Sequence, residues 1–285
     1  HFICCYNSFN VYMGKFVEGY GGSCLVYFVL DIGGSSIKFA LVDKNMNIVI
    51  RDSWAVPGSF DGLIELIQKK FNQIKHDYEC VGIAISATES VDAFEGVIYG
   101  ARAIAYIHGP NHQMPEPRVK FSQLLLPIEI ENDANCAALA EAHLGDYSNY
   151  KMISSVVIGS GVGGSNVYNG EILRGANLHG GEFGYMILDE DGFGFQTMST
   201  LSSVGGIVRQ AQMMGLNVNN GKELFSLADS NETAQRLIDD FFKYLAIGLF
   251  NIQYSFDPDV ILIGGAISNR PNLIERIGLE LDSIL

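Results

Sequence analysis

The amino-acid sequence predicts an α/β protein built as two related lobes. Three observations carry this. The chain has 285 residues, more than one compact core usually takes. Apolar runs of strand length alternate with longer stretches of helical period. A strand, glycine turn, strand arrangement just after Val26 returns around residue 160, about half a chain later. The expected division is an unassigned extension over residues 1–25, a first α/β lobe over 26–130 and a second over 131–285.

Taken in order, residues 1–25 are rich in aromatics, glycine and cysteine but follow neither period, so no element is assigned there. Val26 to Leu30 reads as a buried strand, Gly33-Gly34 interrupts it, Ile37 to Val42 resumes, Lys44-Asn45 turns and Ile48 to Ile50 follows. Leu63, Leu66, Ile67, Phe71 and Ile74 stand at helical spacing within Gly62 to Lys75, and Val81 to Ile85 then reads as another buried strand. Residues 86–127 hold much Gly, Pro and His and read as loops with one short strand at Val97 to Tyr99. Pro127 to Ile130 leads through Glu131-Asn132-Asp133 into an alanine-rich helix, Ala134 to Leu144, so Asp133 stands where a strand hands over to a helix. Ser154 to Ile158, the glycine cluster 159–164, Asn166 to Tyr168 and the Asn169-Gly170 turn repeat the first hairpin. Helices over Leu201 to Met214 and Thr233 to Tyr254 precede a short strand, Val260 to Ile263, then Gly264-Gly265 and a closing helix entered through Pro271.

Composition narrows the function. With 48% hydrophobic and 18% charged residues there is apolar surface for two cores and none of the bias of disorder. Lys and Arg number 18 against 32 Asp and Glu, for a net charge of −14, which argues against nucleic acid as a partner. A nucleotide would have to be held by backbone N–H groups, helix N-termini and a divalent cation. The five cysteines, Cys4, Cys5, Cys24, Cys80 and Cys136, are scattered and lack the paired spacing of a zinc knuckle or disulfide scaffold, as in a reducing compartment. No run of about 18 apolar residues appears, and the N-terminus lacks the layout of a secretory signal, so a cytoplasmic protein with no membrane partner is expected.

The glycine turns are the chemical signal. In Asp31-Ile32-Gly33-Gly34-Ser35-Ser36, backbone N–H groups can line a tight turn and serine hydroxyls can reach an anion, although a hairpin that merely needs glycine reads the same. Gly159-Ser160-Gly161-Val162-Gly163-Gly164 matches the dinucleotide-binding string G-x-G-x-x-G, but no helix follows it. Residues 165–172 hold β-formers and an Asn-Gly turn, so this is a second hairpin. No Lys-Ser or Lys-Thr follows any glycine cluster at Walker spacing, which excludes a P-loop enzyme. Gly264-Gly265, after a buried strand, would let a flat ring approach the backbone, and alone it would equally serve packing.

Together DIGGSSIKFALVD, ENDANCAALAEA, VVIGSGVGGSNVYNG, GANLHGGEFGYM and DPDVILIGGAIS, in this order over roughly residues 26 to 280, resemble the ROK group of sugar kinases within the actin and hexokinase-like superfamily. The resemblance implies a two-lobed actin-like ATPase fold, ribonuclease H-like in each lobe, with a central cleft for nucleotide and sugar. It implies ATP and Mg2+ as cofactors, a small-molecule sugar as substrate and a homodimer. Gly33, Gly34, Ser35, Lys38, Gly159, Ser160, Gly161, Gly163, Gly264 and Gly265 would hold ATP. Asp31 would orient Mg2+ through water, Asn132, His179 and Glu182 would contact sugar hydroxyls, and Asp133 would accept the proton of the attacking hydroxyl.

The role of Asp133 also has a physical basis. Phosphoryl transfer needs positioning, charge neutralisation and one carboxylate in reach of the nucleophile. A helix start favours the ionised form, and an ordinary helix cap is the competing explanation of an Asp at that address.

The chain departs from the family pattern in places. Tyr185 stands where many relatives have a zinc-binding His, and residues 186–203 contain no cysteine, so no zinc site is expected. Members without zinc include kinases of β-glucosides and related sugars. The acidic residue that touches sugar in zinc-bearing relatives is replaced near Ser199, and Ala87-Thr88-Glu89 replaces a Pro-Gly-type turn. The family's last helix is expected to be missing. The family also includes sugar-sensing regulators with a helix-turn-helix, against which stands an N-terminal stretch of only 25 residues without helical period or basic character. A sugar-binding protein without catalysis is the other alternative.

Overall fold

The structure is a computed structural model that describes residues 3–5, 25–33, 36–88, 90–99, 126–192 and 194–285. The chain divides into two compact units. One runs to Ala137; the other holds Ala138–Leu285 together with an N-terminal strand, β1 (Ile3–Cys5).

The first unit opens with an antiparallel meander of β2 (Leu25–Ile32), β3 (Ser36–Asp43) and β4 (Ile48–Ala55). Helix α1 (Phe60–Ile74) follows, its start fixed by Ser59, whose hydroxyl accepts the N–H of Gly62. Then come β5 (Glu79–Ala87), the small hairpin β6 (Ser90–Asp92) and β7 (Val97–Tyr99), and β8 (Ile128–Asn132). The five-stranded sheet has the order β4-β3-β2-β5-β8, with β5 parallel to both β2 and β8. Fully buried Leu63 and Ile67 of α1 pack in one cluster with Phe28, Leu30 and Ile37, and each such side chain stabilises the unit by roughly 1.5–3 kcal/mol. Phe39 lies between Phe28 and Trp54, at centroid distances of 4.6 and 5.3 Å. The boundary between units falls within α2 (Asp133–His143).

The second unit repeats this arrangement except in its fifth strand, which comes from the N-terminus. Strands β9 (Met152–Ile158), β10 (Val162–Tyr168) and β11 (Glu171–Ile172) form the antiparallel meander. A 3-10 turn at Phe183–Tyr185, the hairpin β12 (Ile187–Asp191) and β13 (Gly194–Thr197), and helices α3 (Met198–Ser202), α4 (Val204–Met213), α5 (Gly221–Leu227) and α6 (Glu232–Phe256) follow. Strand β14 (Val260–Gly264), a 3-10 turn at Ala266–Asn269 and α7 (Leu273–Ile284) end the unit. Its sheet order is β1-β14-β9-β10-β11, with β14 parallel to both β9 and β1. The core contains Val156, Ile158, Phe241, Leu245, Leu249 and Ile263.

Several expectations change. Residues 1–25 do contribute an element, since Ile3, Cys4 and Cys5 pair with Ile261, Leu262 and Ile263; three residues are too few to show a period. The helix expected over Leu201 to Met214 is two, because Ser203 is extended (ψ 152°) and its hydroxyl caps α4 through Gly206 N–H. Strand β10 starts at Val162, inside the glycine cluster, and β6, β12, β13 and α5 were not read from the sequence.

Candidate active site

In the first unit Asp31, Asn132 and Asp133 lie at the C-terminal ends of parallel strands, where open α/β sheets bind ligands. Asp31, Ser86 and Glu131 stand side by side in register on β2, β5 and β8. The Asp31 carboxylate accepts the Ser86 hydroxyl at 3.3 Å and the Lys38 ammonium at 3.0 Å. Lys38 is its cross-strand neighbour on β3. Gly33 closes the bend by donating to Ser36 O at 3.0 Å. Gly34 and Ser35 lie outside the described residues.

At the β8–α2 junction the two neighbouring residues divide the work. Asn132 is the helix cap: its Oδ1 accepts the N–H of Asn135 at 3.1 Å. Asp133 is the first helical residue, exposed, with Oδ1 on the N–H of Ala134 at 2.8 Å and on Asn132 Nδ2 at 3.2 Å. Glu131, buried, receives the Asn132 N–H and the Asn135 amide, both at 2.9 Å, which steadies the turn from below. Beneath it Cys136 is fully buried; burial, reinforced by the charges of Glu131, Asp133 and Asp31, pushes its thiol well above the usual range and leaves it inert. Nothing in the sequence set Ser86 or Asn135 apart, because a Ser in a strand and an Asn in a helix carry no local signature.

In the second unit the glycine segments converge on one bend. Gly159 follows β9, donates to Gly161 O at 2.9 Å, and the chain returns as β10. Gly265, beyond β14, has φ +88° and lies so near Ile158 that a Cβ would come within 2.3 Å of Ile158 O. Only glycine fits there. On the other side, the segment with His179 and Glu182 lies on β10: at Gly181, φ +91°, a Cβ would meet Ser165 Cα at 2.7 Å, and the Phe183 ring covers Gly164. His179 is exposed and Glu182 half-buried, and Glu182 N–H donates to His179 O at 3.2 Å. Leu178, just before, takes a left-handed conformation (φ +61°) that a branched side chain rarely adopts. Thus Gly159, Ser160, Gly161, Gly163, Glu182, Gly264 and Gly265 cluster around the ends of three strands. A concavity of about 790 Å³ lined by Asp229, Asn231, Glu232 and Arg236, among others, contains none of the nominated residues.

Two serines that sequence reasoning did not set apart as partners of the bend hold it. Ser199 Oγ accepts Val162 N–H at 2.9 Å and donates to Val162 O at 3.3 Å; Ser203 Oγ donates to Ser160 O at 3.3 Å. Tyr185 is exposed. Among the described residues no helix is long and apolar enough to cross a membrane.

Two sheets of the same strand arrangement, one carrying carboxylates at its strand ends and the other glycine bends, define an actin-like ATPase. The chain belongs to the ROK family, which it matches over residues 27–285. A beta-glucoside kinase from Listeria monocytogenes is 34% identical over 260 residues, covering 89% of this chain and 86% of the relative. The crystal structure of a ROK family protein from Streptococcus pneumoniae in complex with sucrose aligns with a TM-score of 0.80 at 32% identity, over 91% of this chain and 86% of that one. The ROK hexokinase from Thermus thermophilus aligns with a TM-score of 0.76 at 25% identity, over 91% and 89%.

Proposed function

We propose that this protein transfers the γ-phosphoryl group of ATP to the 6-hydroxyl of a hexose or β-glucoside, with Asp133 as general base. The chain is a carbohydrate kinase; its relatives include the beta-glucoside kinase and the hexokinase named above. The observation that carries the finer reading is the division of labour at the β8–α2 junction. Asn132 already serves as the cap, so capping does not account for the carboxylate at Asp133. The macrodipole favours that carboxylate in the ionised form, ready to accept a proton.

In the proposed reaction the sugar O–H gives its proton to Asp133 while its oxygen attacks the γ-phosphorus, and the bond to the β,γ-bridging oxygen breaks to release ADP. Asn132, Glu182 and His179 would orient the sugar hydroxyls. The N–H groups of the Gly159–Gly164 bend, with Lys38 and the Gly33–Ser35 turn, would hold the phosphates, and Gly264-Gly265 the nucleoside. Asp31 suits Mg2+ held through water: its side chain is 28% exposed at a strand end and already balanced by Lys38, a donor set of one carboxylate such as Mg2+ uses when phosphates and water complete its shell. When bound, the ion would neutralise charge on the phosphate oxygens. Zinc has no part in this reading, and Tyr185 and the cysteine-free stretch 186–203 support that.

The test is ADP formation from MgATP against a panel of hexoses, amino sugars and β-glucosides, with 31P–1H correlation to locate the ester. Sugar-dependent ADP formation with phosphate on the 6-oxygen is expected. Absence of sugar-dependent turnover across the panel would overturn the reading in favour of a sugar-binding or regulatory protein.

A further inference from the structure

We infer that Ser199 and Ser203 are positioning residues that, together with the Gly205 N–H, hold the Gly159–Val162 bend so that the backbone N–H groups of Ser160 and Gly161 face the nucleotide phosphates. The inference rests on the kinase reading of the Gly159–Gly164 bend and deepens it. Each main-chain group on the inner side of that bend is tied to the α3–α4 junction. Gly205 N–H donates to Gly159 O at 3.0 Å, and Ser203 Oγ donates to Ser160 O at 3.3 Å. Ser199 Oγ engages both the N–H and the carbonyl of Val162. A trans peptide holds its C=O and N–H antiparallel. Anchoring the carbonyl of Gly159 therefore turns the N–H of Ser160 away from α3 and α4, and anchoring the carbonyl of Ser160 does the same for Gly161. Among the described residues these two N–H groups donate to nothing. Two outward N–H groups on a rigid turn are the device by which backbone binds an anion.

The break between α3 and α4 has its reason here. Ser203 is extended, and its hydroxyl accepts the Gly206 N–H at 2.8 Å while its own hydrogen reaches both Ser199 O, at 2.6 Å, and Ser160 O. A continuous helix would not present that hydroxyl. Gly205 must also be glycine, since a Cβ would meet Ser160 O at 2.3 Å. Ser199, near where the family resemblance puts an acidic sugar contact, uses its hydroxyl on both the N–H and the carbonyl of Val162, and so serves the nucleotide rather than the sugar.

The test compares Ser199→Ala, Ser203→Ala and Ser203→Thr with wild type by steady-state kinetics, MgATP titration and amide hydrogen exchange of the nucleotide-free protein. Loss of the paired Ser199 hydrogen bonds should raise KM for MgATP about tenfold and leave the sugar KM within about twofold. Exchange at Gly161 and Val162 should speed up, and Ser203→Thr, which keeps the hydroxyl, should stay near wild type where Ser203→Ala does not. A Ser199→Ala protein with unchanged MgATP KM and a raised sugar KM would overturn the inference and make Ser199 a sugar contact. Unchanged exchange in the bend would overturn the anchoring even if kinetics shift. A wild-type protein that binds no MgATP would instead sink the kinase reading, while the exchange data still judge the anchoring.

Discussion

Replacing Asp133 by Asn separates a catalytic role from a structural one more sharply here than at most helix starts. The cap belongs to Asn132, whose Oδ1 holds the Asn135 N–H. At position 133 an Asn retains a side-chain oxygen for the Ala134 N–H, which the Asp now serves at 2.8 Å. At the helix start it loses one negative charge in the first turn, worth about 0.3–1 kcal/mol at an exposed site. A general base contributes about 10²–10⁴-fold in rate, equivalent to about 2.7–5.5 kcal/mol of barrier. The two numbers do not overlap. Asp133→Asn should therefore unfold in urea within about 1 kcal/mol of wild type, bind MgATP as wild type does, and turn over at least about a hundredfold more slowly. Asn132→Ala is the control, losing about 1 kcal/mol of stability from the missing cap. Turnover of Asp133→Asn above about a tenth of wild type, with stability intact, would remove the carboxylate from the mechanism.

Gly265→Ala should be among the most damaging single-methyl changes. The residue sits at φ +88°, ψ 176°, a region open almost only to glycine, and the new methyl would lie 2.3 Å from Ile158 O. A loss of about 3 kcal/mol in urea unfolding is expected, and less than about 1 would show that β9 and β14 can part without cost. Leu178→Gly should leave stability unchanged or raise it by up to about 1 kcal/mol, because the left-handed strain offsets the entropy that glycine adds to the unfolded chain. A clear loss would mean that the leucine side chain packs well enough to outweigh its strain. Burial, with the charge of Asp146, raises the Glu141 carboxyl above its ordinary value. Its ionised form is thus disfavoured in the fold, and stability falls as pH rises through the range between the unfolded and folded values. Glu141→Gln should be more stable than wild type at neutral pH, with the gap closing below about pH 4, and a gap independent of pH would refute this account.

The sequence made legible those parts that rest on local period and on glycine. The strands β2, β3, β5, β9 and β14 follow from buried runs, the helices α1 and α6 from 3.6-residue spacing over stretches long enough to show it, and α2 from its alanine content. The hairpin β12–β13 was hidden because Ile187–Asp191 and Gly194–Thr197 are exposed or half-buried on both faces, and no alternation marks a strand without a core face. The α3–α4 break was hidden because Thr197 and Ser203 are both caps, one for each helix, while the apolar pattern of Leu201, Ile207 and Val208 runs straight across. Asp133 stood out from its place between strand and helix. That Asn132 rather than Asp133 caps the helix was not readable, since both residues cap well and only the three-residue reach to Asn135 decides it.

The two units share a sheet order yet offer opposite chemistry at equivalent strand ends, and the acidic composition explains why. In the first unit the ends of β2, β5 and β8 carry Asp31, Ser86 and Glu131, with Asp133 two residues on; these carboxylates suit proton transfer and a cation. In the second unit the ends of β9 and β14 lead into Gly159 and Gly265, residues without a side chain. A chain with net charge −14 that binds a polyphosphate has to place attraction where its own field is weakest. The backbone N–H groups of the bend add to the Lys38 cation without a further lysine or arginine, provided the turn is rigid, because a mobile turn would lose in ordering entropy what each hydrogen bond gains. Rigidity at the bend comes from Ser199, Ser203 and Gly205, all outside the glycine string itself. An Ala in place of Gly161, whose Cβ would meet Ser199 Oγ at an ordinary 3.5 Å, should therefore be tolerated far better than one in place of Gly205.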